Sequence, residues 1–313
     1  MAALRFFARL PERGWTPGQG IRFNGEMSTG SKIPSAGLVP ASRASRGAEL
    51  LAQAQIRRQR LAELPPEARP RTPEEGYHCQ DLLIGQLLAH YGGQVIGYKI
   101  ACTNKIAQDL LHMPEPFHGK MMSASCFDSP ARIQPDGFFM RVIEAEFAFR
   151  IGRDEEPDAV LPGIEIVDSR FQDWTTAGAG SLIADNACHG AWIKGAPVTN
   201  WKELDLAAQE VRLMVNGTLM QQGSGAAVLG SPLNALRWLR ESLHARGLAL
   251  QPGEYVTTGV TTDIYMAQAG DRIAADFGPV GQVELAFDQV LLTGSCAAGS
   301  AIGSRGITIQ QTI

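Results

Sequence analysis

The stretch that most constrains this chain is Arg141-Val142-Ile143-Glu144-Ala145-Glu146-Phe147-Ala148-Phe149-Arg150, which reads as a strand. Side chains alternate faces along a strand, so Ile143, Ala145, Phe147 and Phe149 share one face while Val142, Glu144, Glu146 and Ala148 share the other. Two carboxylates therefore point the same way out of an otherwise apolar element. Burying two bare like charges is costly. Either this face sits in water on a half-exposed sheet, or something positive lies between the two acids. A second short strand is expected over residues 161–170, where Glu165 is an isolated acid between Ile164 and Ile166. Three carboxylates on two apolar strands suit an all-oxygen cage for a hard divalent cation. A Glu-x-Glu pattern is common, so spacing alone leaves the solvated face open as the other reading.

The chain of 313 residues is long enough for a large core in one domain or two, and 44% hydrophobic with 19% charged residues describes an ordinary globular protein. A net charge of -4 argues against nucleic acid as the main partner. No apolar run is long enough to span a bilayer, which argues against a membrane partner. The five cysteines are scattered and form no C-x-x-C pair, which fits a reducing, cytoplasmic compartment and gives no zinc signature.

Residues 1–46 are rich in Arg, Gly, Ser and Pro and show no sustained period, so they are expected to be a disordered extension. They superficially resemble an organelle transit peptide. The favoured alternative is an upstream start with Met27 as the natural first residue, because the apolar, basic piece covers only residues 1–9. A helix is expected over 45–64, stopped by Pro65-Pro66. A second runs over 72–90, with Thr72 as cap, Pro73 at its first position and Gly92-Gly93 after it. Residues 95–101 read as a strand, 104–112 as a short helix, 114–119 as a loop and 120–127 as a weak strand. Beyond residue 133 the pattern is strand-rich. A Gly-rich turn is expected at 175–180, a loop at 181–190 and a strand at 191–193. Asn216-Gly217 between Val211–Val215 and Thr218–Met220 is a strong hairpin signal. A helix over 232–245 should turn Leu233, Leu236, Trp238, Leu239 and Leu243 inward. Strands are expected at 255–259 and 281–287, with a turn at Gly270-Asp271, and the tail after residue 288 is expected to be loosely ordered.

Several of these pieces together resemble the 2-keto-4-pentenoate hydratase/4-oxalocrotonate decarboxylase family of the fumarylacetoacetate hydrolase superfamily. They are Val95-Ile96-Gly97-Tyr98-Lys99, Ile143-Glu144-Ala145-Glu146, Leu161-Pro162-Gly163-Ile164-Glu165 with Ser169-Arg170 and Trp174, Ala184-Asp185-Asn186-Ala187, Gly230-Ser231-Pro232-Leu233-Asn234, and Thr257-Thr258-Gly259 followed by Ala269-Gly270-Asp271. The resemblance runs from about residue 47 to 288. It implies an α+β fold, with a helical N-terminal part (47–132) on a mixed β-roll (133–288), and a site in the mouth of the roll. It also implies that Glu144, Glu146 and Glu165 hold Mg²⁺ or Mn²⁺, the same trio that strand alternation singled out. The substrate would be a small 2-oxo or 2-hydroxy-dienoic acid, the protein a homo-oligomer, in some cases complexed with a neighbouring pathway enzyme, and its work aromatic-compound catabolism.

Lys99 matches the family's site lysine and lies mid-strand, an odd place for an ammonium without a partner; a lysine at an exposed strand end is the other reading. Asp168 and Arg170 are expected to form a buried ion pair or a substrate clamp. The resemblance places Asp185, as a catalytic group, and Asn186, as a substrate-binding one, in a loop facing the site, and Thr258 and Gly259 where backbone N–H groups could bind a substrate carboxylate. His189 reads as a loop histidine. Family hydratases usually carry an acid just ahead of the glycine that corresponds to Gly119. This chain has Pro116-Phe117-His118-Gly119 with Glu115 displaced, so either His118, a carboxylate or a bound water handles the proton at the far end of the diene, or the loop has lost acid–base function. The connection between Phe149 and Leu161 also looks shortened. The expected activity is hydration of a 2-hydroxy-2,4-dienoate to a 4-hydroxy-2-oxo acid. The rivals are decarboxylation of a 2-oxo-dioic acid, hydrolysis of an acylpyruvate, and a non-catalytic member that binds an oxo acid or stabilises a partner enzyme.

Overall fold

The structure is a computed structural model, and it describes residues 42–289. The remainder of the expected N-terminal extension, including Met27, and the tail after residue 289 lie outside the described residues.

Helix α1 (Arg43–Arg57) starts at the Ser42 side chain, which accepts from Ser45 N, so the last residues assigned to the extension are helical. The helix ends well before residue 64, because Arg58 adopts a left-handed conformation (φ 57°). Leu61 then pairs with Phe171 as an isolated bridge, and Leu64 is fully buried in the same small core as α1. The apolar stripe continued because an extended segment serves the same core as the helix. Helix α2 (Pro73–Tyr91) begins and ends as expected, with Thr72 accepting from Glu75 N and Gly92 closing it. Strand β1 (Val95–Ala101) leads into helix α3 (Lys105–Leu111), capped by the Asn104 side chain. Strand β2 (Phe117–Met122) begins inside the expected loop, and β3 (Cys126–Asp128) and β4 (Ala131–Ile133) follow.

Strand β5 (Val142–Ile151) and strand β6 (Pro157–Val167) form the longest hairpin. The second strand is longer than expected at its start, and Ser169 and Arg170 fall beyond its end. The short connection is a closed unit: Glu155 meets His244 at 2.7 Å and Glu156 meets Arg240 at 2.8 Å, tying it to a later helix. Residues 181–190 are not a loop. They carry helix α4 (Ala179–Ala184), a 3-10 turn (Asn186–Cys188) and the start of strand β7 (His189–Lys194). Strands β8 (Glu210–Val215) and β9 (Thr218–Ser224) flank Asn216 and Gly217, whose φ values of 51° and 82° are those a tight two-residue hairpin requires. Helix α5 (Pro232–Ala245) buries Leu236, Leu239 and Leu243, whereas Leu233 in its first turn is 38% exposed. Strands β10 (Tyr255–Val260), β11 (Tyr265–Met266), β12 (Arg272–Asp276) and β13 (Gln282–Phe287) complete the chain; β12 was not anticipated.

Two mixed sheets result. The larger has the order β2-β1-β10-β5-β6-β7-β3, with β11 on β5, and the smaller β4-β13-β12-β8-β9. The β1/β10, β3/β7 and β4/β13 pairs are parallel and the rest antiparallel. The large sheet curls until β2 approaches β7, forming a half-barrel. Its outer face carries Ile143, Ala145, Phe147 and Phe149, packed with Leu213, Ile273 and Val283 of the small sheet and with Leu236 and Leu239 of α5. These side chains are almost wholly buried, each contributing roughly 1.5–3 kcal/mol. Burial of one face in this way fixes the register, and with it the direction of every side chain on the other face. Among the described residues no helix is long and apolar enough to cross a membrane.

Candidate metal centre

The inner face of the half-barrel holds the acids. Glu144 and Glu165 are direct cross-strand partners, and Glu146 lies opposite Gly163. One oxygen from each of the three carboxyls lies within 4.8 Å of the others. Glu146 and Glu165 are fully buried and Glu144 opens on a cavity. Burial, then repulsion from Glu146, pushes the Glu144 carboxyl up to about 8. Burial, then Glu165, does the same to Glu146, up to about 8. Glu165 rises to about 7, burial outweighing the favourable charge of Lys99.

Lys99 reaches into this cluster from β1. It is 2% exposed, and its Nζ lies 3.3 Å from Glu165 Oε1 and donates to Ala187 O at 2.9 Å. Burial disfavours its charge, but Glu165, Glu144 and Glu146 together outweigh that and hold it above the ordinary lysine range. The lysine therefore stays charged beside the acids.

Two further groups fix the carboxylates. Gly259 N donates to Glu146 Oε2 at 2.9 Å. Gly259 has φ 103°, and a Cβ there would collide with Thr103 Oγ1, so no other residue fits. His189 Nδ1 lies 2.9 Å from Glu165 Oε1 and its Nε2 lies 3.2 Å from Ser125 Oγ. Burial, Lys99 and Arg170 push this imidazole down to about 3, so it is neutral, and the network assigns the proton to Nδ1. Even so, Glu146 Oε1 and Glu165 Oε2 are buried with no donor. Orphaned oxygens on two of three clustered carboxylates are what a hard divalent cation would satisfy, so the residues present fit such an ion.

The other expected site residues are placed differently. His118 pairs with Ile100 on β1, whereas Lys99 pairs with Gly119, so the imidazole points to the face opposite the acids. There it stacks on Tyr77 with ring centroids 4.5 Å apart, and burial pushes it down to about 3. Its neighbour Phe117 faces the cavity instead. Arg170 pairs with Asp185 rather than Asp168, and its Nη1 donates to His189 O at 3.1 Å. Asp185 also accepts from Ser169 Oγ at 2.8 Å and Arg170 N at 3.0 Å. Both are buried away from the cavity, as a structural brace. Asp168 accepts from Phe139 N and Met140 N, both at 2.8 Å. Asn186 is also structural, exchanging hydrogen bonds with the backbone of Lys120 at 2.7 and 2.8 Å. Thr258 spends its hydroxyl on Phe147 O at 2.9 Å. The chain thus brings together Lys99, Glu144, Glu146, Glu165 and Gly259, and adds His189 and Thr103. A register shift between Ile166 and Val167 is what puts His189 opposite Val167, so alternation along β7 gave no signal for His189.

Behind Lys99 the backbone is strained. Asn186, Ala187 and Cys188 have φ of 52°, 52° and 57°, three successive non-glycine residues in the left-handed region. Each costs of order 1–3 kcal/mol, and the turn they make aims Ala187 O at the ammonium. The cavity over the cluster has a volume of about 760 Å³. Lys99, Glu144 and Gly259 form its charged end, and on its described wall the carboxyl groups are those of Glu144 and Asp263.

Comparison with known proteins agrees with this geometry. The fumarylacetoacetate (FAA) hydrolase C-terminal family matches residues 133–287. The chain is 31% identical to 2-keto-4-pentenoate hydratase of Paraburkholderia xenovorans (strain LB400) over 218 residues, 66% of this chain and 81% of the relative. It is 31% identical to 2-hydroxyhexa-2,4-dienoate hydratase of Comamonas testosteroni over 243 residues, 73% and 91% of the two chains. In fold it is similar to 4-oxalocrotonate decarboxylase from Pseudomonas putida G7, solved with magnesium and adipate, with a TM-score of 0.73 at 23% identity over 80% of this chain and 98% of that one. The half-barrel, the carboxylate trio and these relatives converge: the chain belongs to the 2-keto-4-pentenoate hydratase family of carbon–oxygen lyases, within the FAA hydrolase fold.

Proposed function

We propose that the protein is a divalent-metal-dependent hydratase that adds water to a 2-hydroxy-2,4-dienoate and yields a 4-hydroxy-2-oxo acid. The observation that carries this reading is the cluster of Glu144, Glu146 and Glu165 with Lys99, of which Glu144 and Lys99 line a large cavity. Glu144, Glu146 and Glu165 would hold Mg²⁺ or Mn²⁺, which when bound supplies Lewis-acid polarisation of the 2-oxygen. Lys99 Nζ receives the negative charge of the oxo-acid head and of the enolate that develops from it. Gly259 N–H and His189 keep Glu146 and Glu165 in place, so neither carboxylate reorganises as charge shifts. With Phe117 on the cavity wall and His118 on the face opposite the acids, the proton at the far end of the diene falls to a wall carboxylate, Glu144 or Asp263, or to a water. A cytoplasmic setting belongs to the same reading; the four described cysteines are free thiols, which a reducing compartment preserves.

The test is calorimetric titration of Mg²⁺ and Mn²⁺ into the wild type and into Glu144→Ala, Glu146→Ala and Glu165→Ala, followed by a hydration assay on a panel of 2-hydroxy-dienoates. Each substitution should abolish or strongly weaken metal binding and hydration together. Wild-type-like metal binding by Glu144→Ala would sink the cage.

A further inference from the structure

The cavity is built for more than an oxo-acid head. Its volume of about 760 Å³ lies in the range that encloses a drug-sized ligand. A five-carbon dienoic acid held at Lys99 and Glu144 fills only the charged end. The rest has a polar side, with Asn104, Gln222, Thr262 and Asp263, and an apolar side, to which Phe117, Met140, Val142 and Trp174 contribute. Over them lies α3, whose Ile106, Ala107, Leu110 and Leu111 recur at one- and four-residue steps and so share a side of the helix.

That side of α3 is unusual. None of the helix's residues is buried, Ile106 is 77% exposed and Leu110 50% exposed, while nearby Ile264 is 44% exposed. In a chain whose other helices each bury several side chains, α3 turns its apolar side to an open cavity. Apolar surface left wet in this way marks a place for an apolar occupant. The cavity is continuous with the charged end, so the occupant with direct access is the remainder of a molecule whose head sits at Lys99.

Charge decides what that remainder carries. The cations on the described cavity wall are Lys99, committed to the head, and Lys105. Lys105 is 78% exposed and bonded to Asp109. A recess beyond Met140, Val142, Trp174 and Ile264 holds Arg60 and Arg141. Arg60 Nη2 donates to the main-chain carbonyls of Phe171 and Gln172, and Arg141 donates to those of Ala267 and Pro135. Both guanidiniums hold the backbone; Arg60 Nε has no partner of its own but is buried out of contact with solvent.

We infer that the substrate carries an extended apolar substituent, alkyl or aryl, on the far end of its diene, seated between α3 and the Phe117–Trp174 wall, and no second carboxylate. This rests on the metal-bound oxo-acid head proposed above and names the substrate class of that site. It also sets the chain apart from a dioic-acid decarboxylase.

The experiment titrates Mg²⁺-loaded full-length protein with saturated 2-oxo acids of increasing length, from 2-oxobutanoate to 2-oxooctanoate, and with the C8 2-oxo-dioic acid. Each added methylene should tighten Kd roughly fourfold, the equivalent of ~0.8 kcal/mol per buried CH₂. The C8 acid should then bind on the order of 10²-fold more tightly than the C4 acid. Leu110→Asp, a substitution at a half-exposed position, should shrink that C8-to-C4 ratio several-fold. Equal affinity along the series overturns the inference while leaving the head site intact. Tighter binding of the dioic acid than of 2-oxooctanoate also overturns it, and places the far end at Arg60 and Arg141. Failure of every 2-oxo acid to bind the metal-loaded protein overturns the head reading itself and the inference with it.

Discussion

The protonation of the carboxylate cluster gives a sharp prediction. With Glu144 and Glu146 pushed up to about 8 and Glu165 to about 7, the metal-free cluster at pH 7 carries about two protons. The three carboxyls titrate as one system, so the count belongs to the cluster. A carboxyl must be bare to coordinate, so metal binding at pH 7 should expel about two protons, and at pH 9 almost none. Apparent affinity for Mg²⁺ should therefore rise on the order of 10²-fold from pH 7 to pH 9. The sign for stability follows from the same shifts. A carboxyl whose folded value is raised binds more protons folded than unfolded, so its contribution is complete below its unfolded value and is lost as pH rises through the folded value. The metal-free protein should lose stability between about pH 5 and pH 8, and Mg²⁺ should restore it. The assay is titration calorimetry at pH 7 in two buffers of different ionisation enthalpy; the dependence of heat on buffer gives the protons released. Tight binding at pH 7 with no proton release would mean the carboxyls are already ionised, and would refute the argument from burial.

Three other substitutions separate site from scaffold. Lys99→Met should keep the fold at pH 7, where the acids can protonate, and keep metal binding, but lose about 10²–10³-fold in turnover because one donor to developing charge is gone; full activity on the same preparation would refute its role. His118→Ala should lower the melting temperature through loss of the Tyr77 stack, yet change kcat little, since its ring lies on the face opposite the acids; a large fall in kcat at unchanged stability would contradict that placement. Asp185→Ala should cost about 3–5 kcal/mol in denaturant unfolding, because it leaves Arg170 buried and unpaired, and a loss within a few tenths of a kcal/mol would show that the pair is not a brace.

What was legible in the sequence is what strand alternation and capping chemistry encode locally. The shared face of Glu144 and Glu146, the Thr72-Pro73 helix start and the Asn216-Gly217 hairpin each follow from neighbours a few residues apart. The inner position of Lys99 was legible from its apolar flanks. What failed depended on a boundary or on a distant partner. Starting β2 at Phe117 instead of Lys120 decides which of Phe117 and His118 faces the cavity, and alternation turns that into opposite functions. Arg170 found Asp185 because the chain folds back through α4, a six-residue helix too short to show a sustained period. The same fold brought His189 to Glu165, a pairing that no local pattern announces.

The β5–β6 hairpin places Glu144 directly opposite Glu165, and this bears on the order in which the molecule assembles. In the unfolded chain both carboxyls are ionised at neutral pH, and like charges directly opposite oppose strand pairing. The hairpin is local, whereas Lys99 comes from β1 and joins β5 only through β10, a strand from the far end of the described chain. Closure of the central hairpin therefore waits on protons, on a cation, or on the arrival of β1 and β10. The site should then act as a checkpoint on folding, and Mg²⁺ present from the start of refolding should shorten that wait, which stopped-flow refolding with and without the ion reads directly.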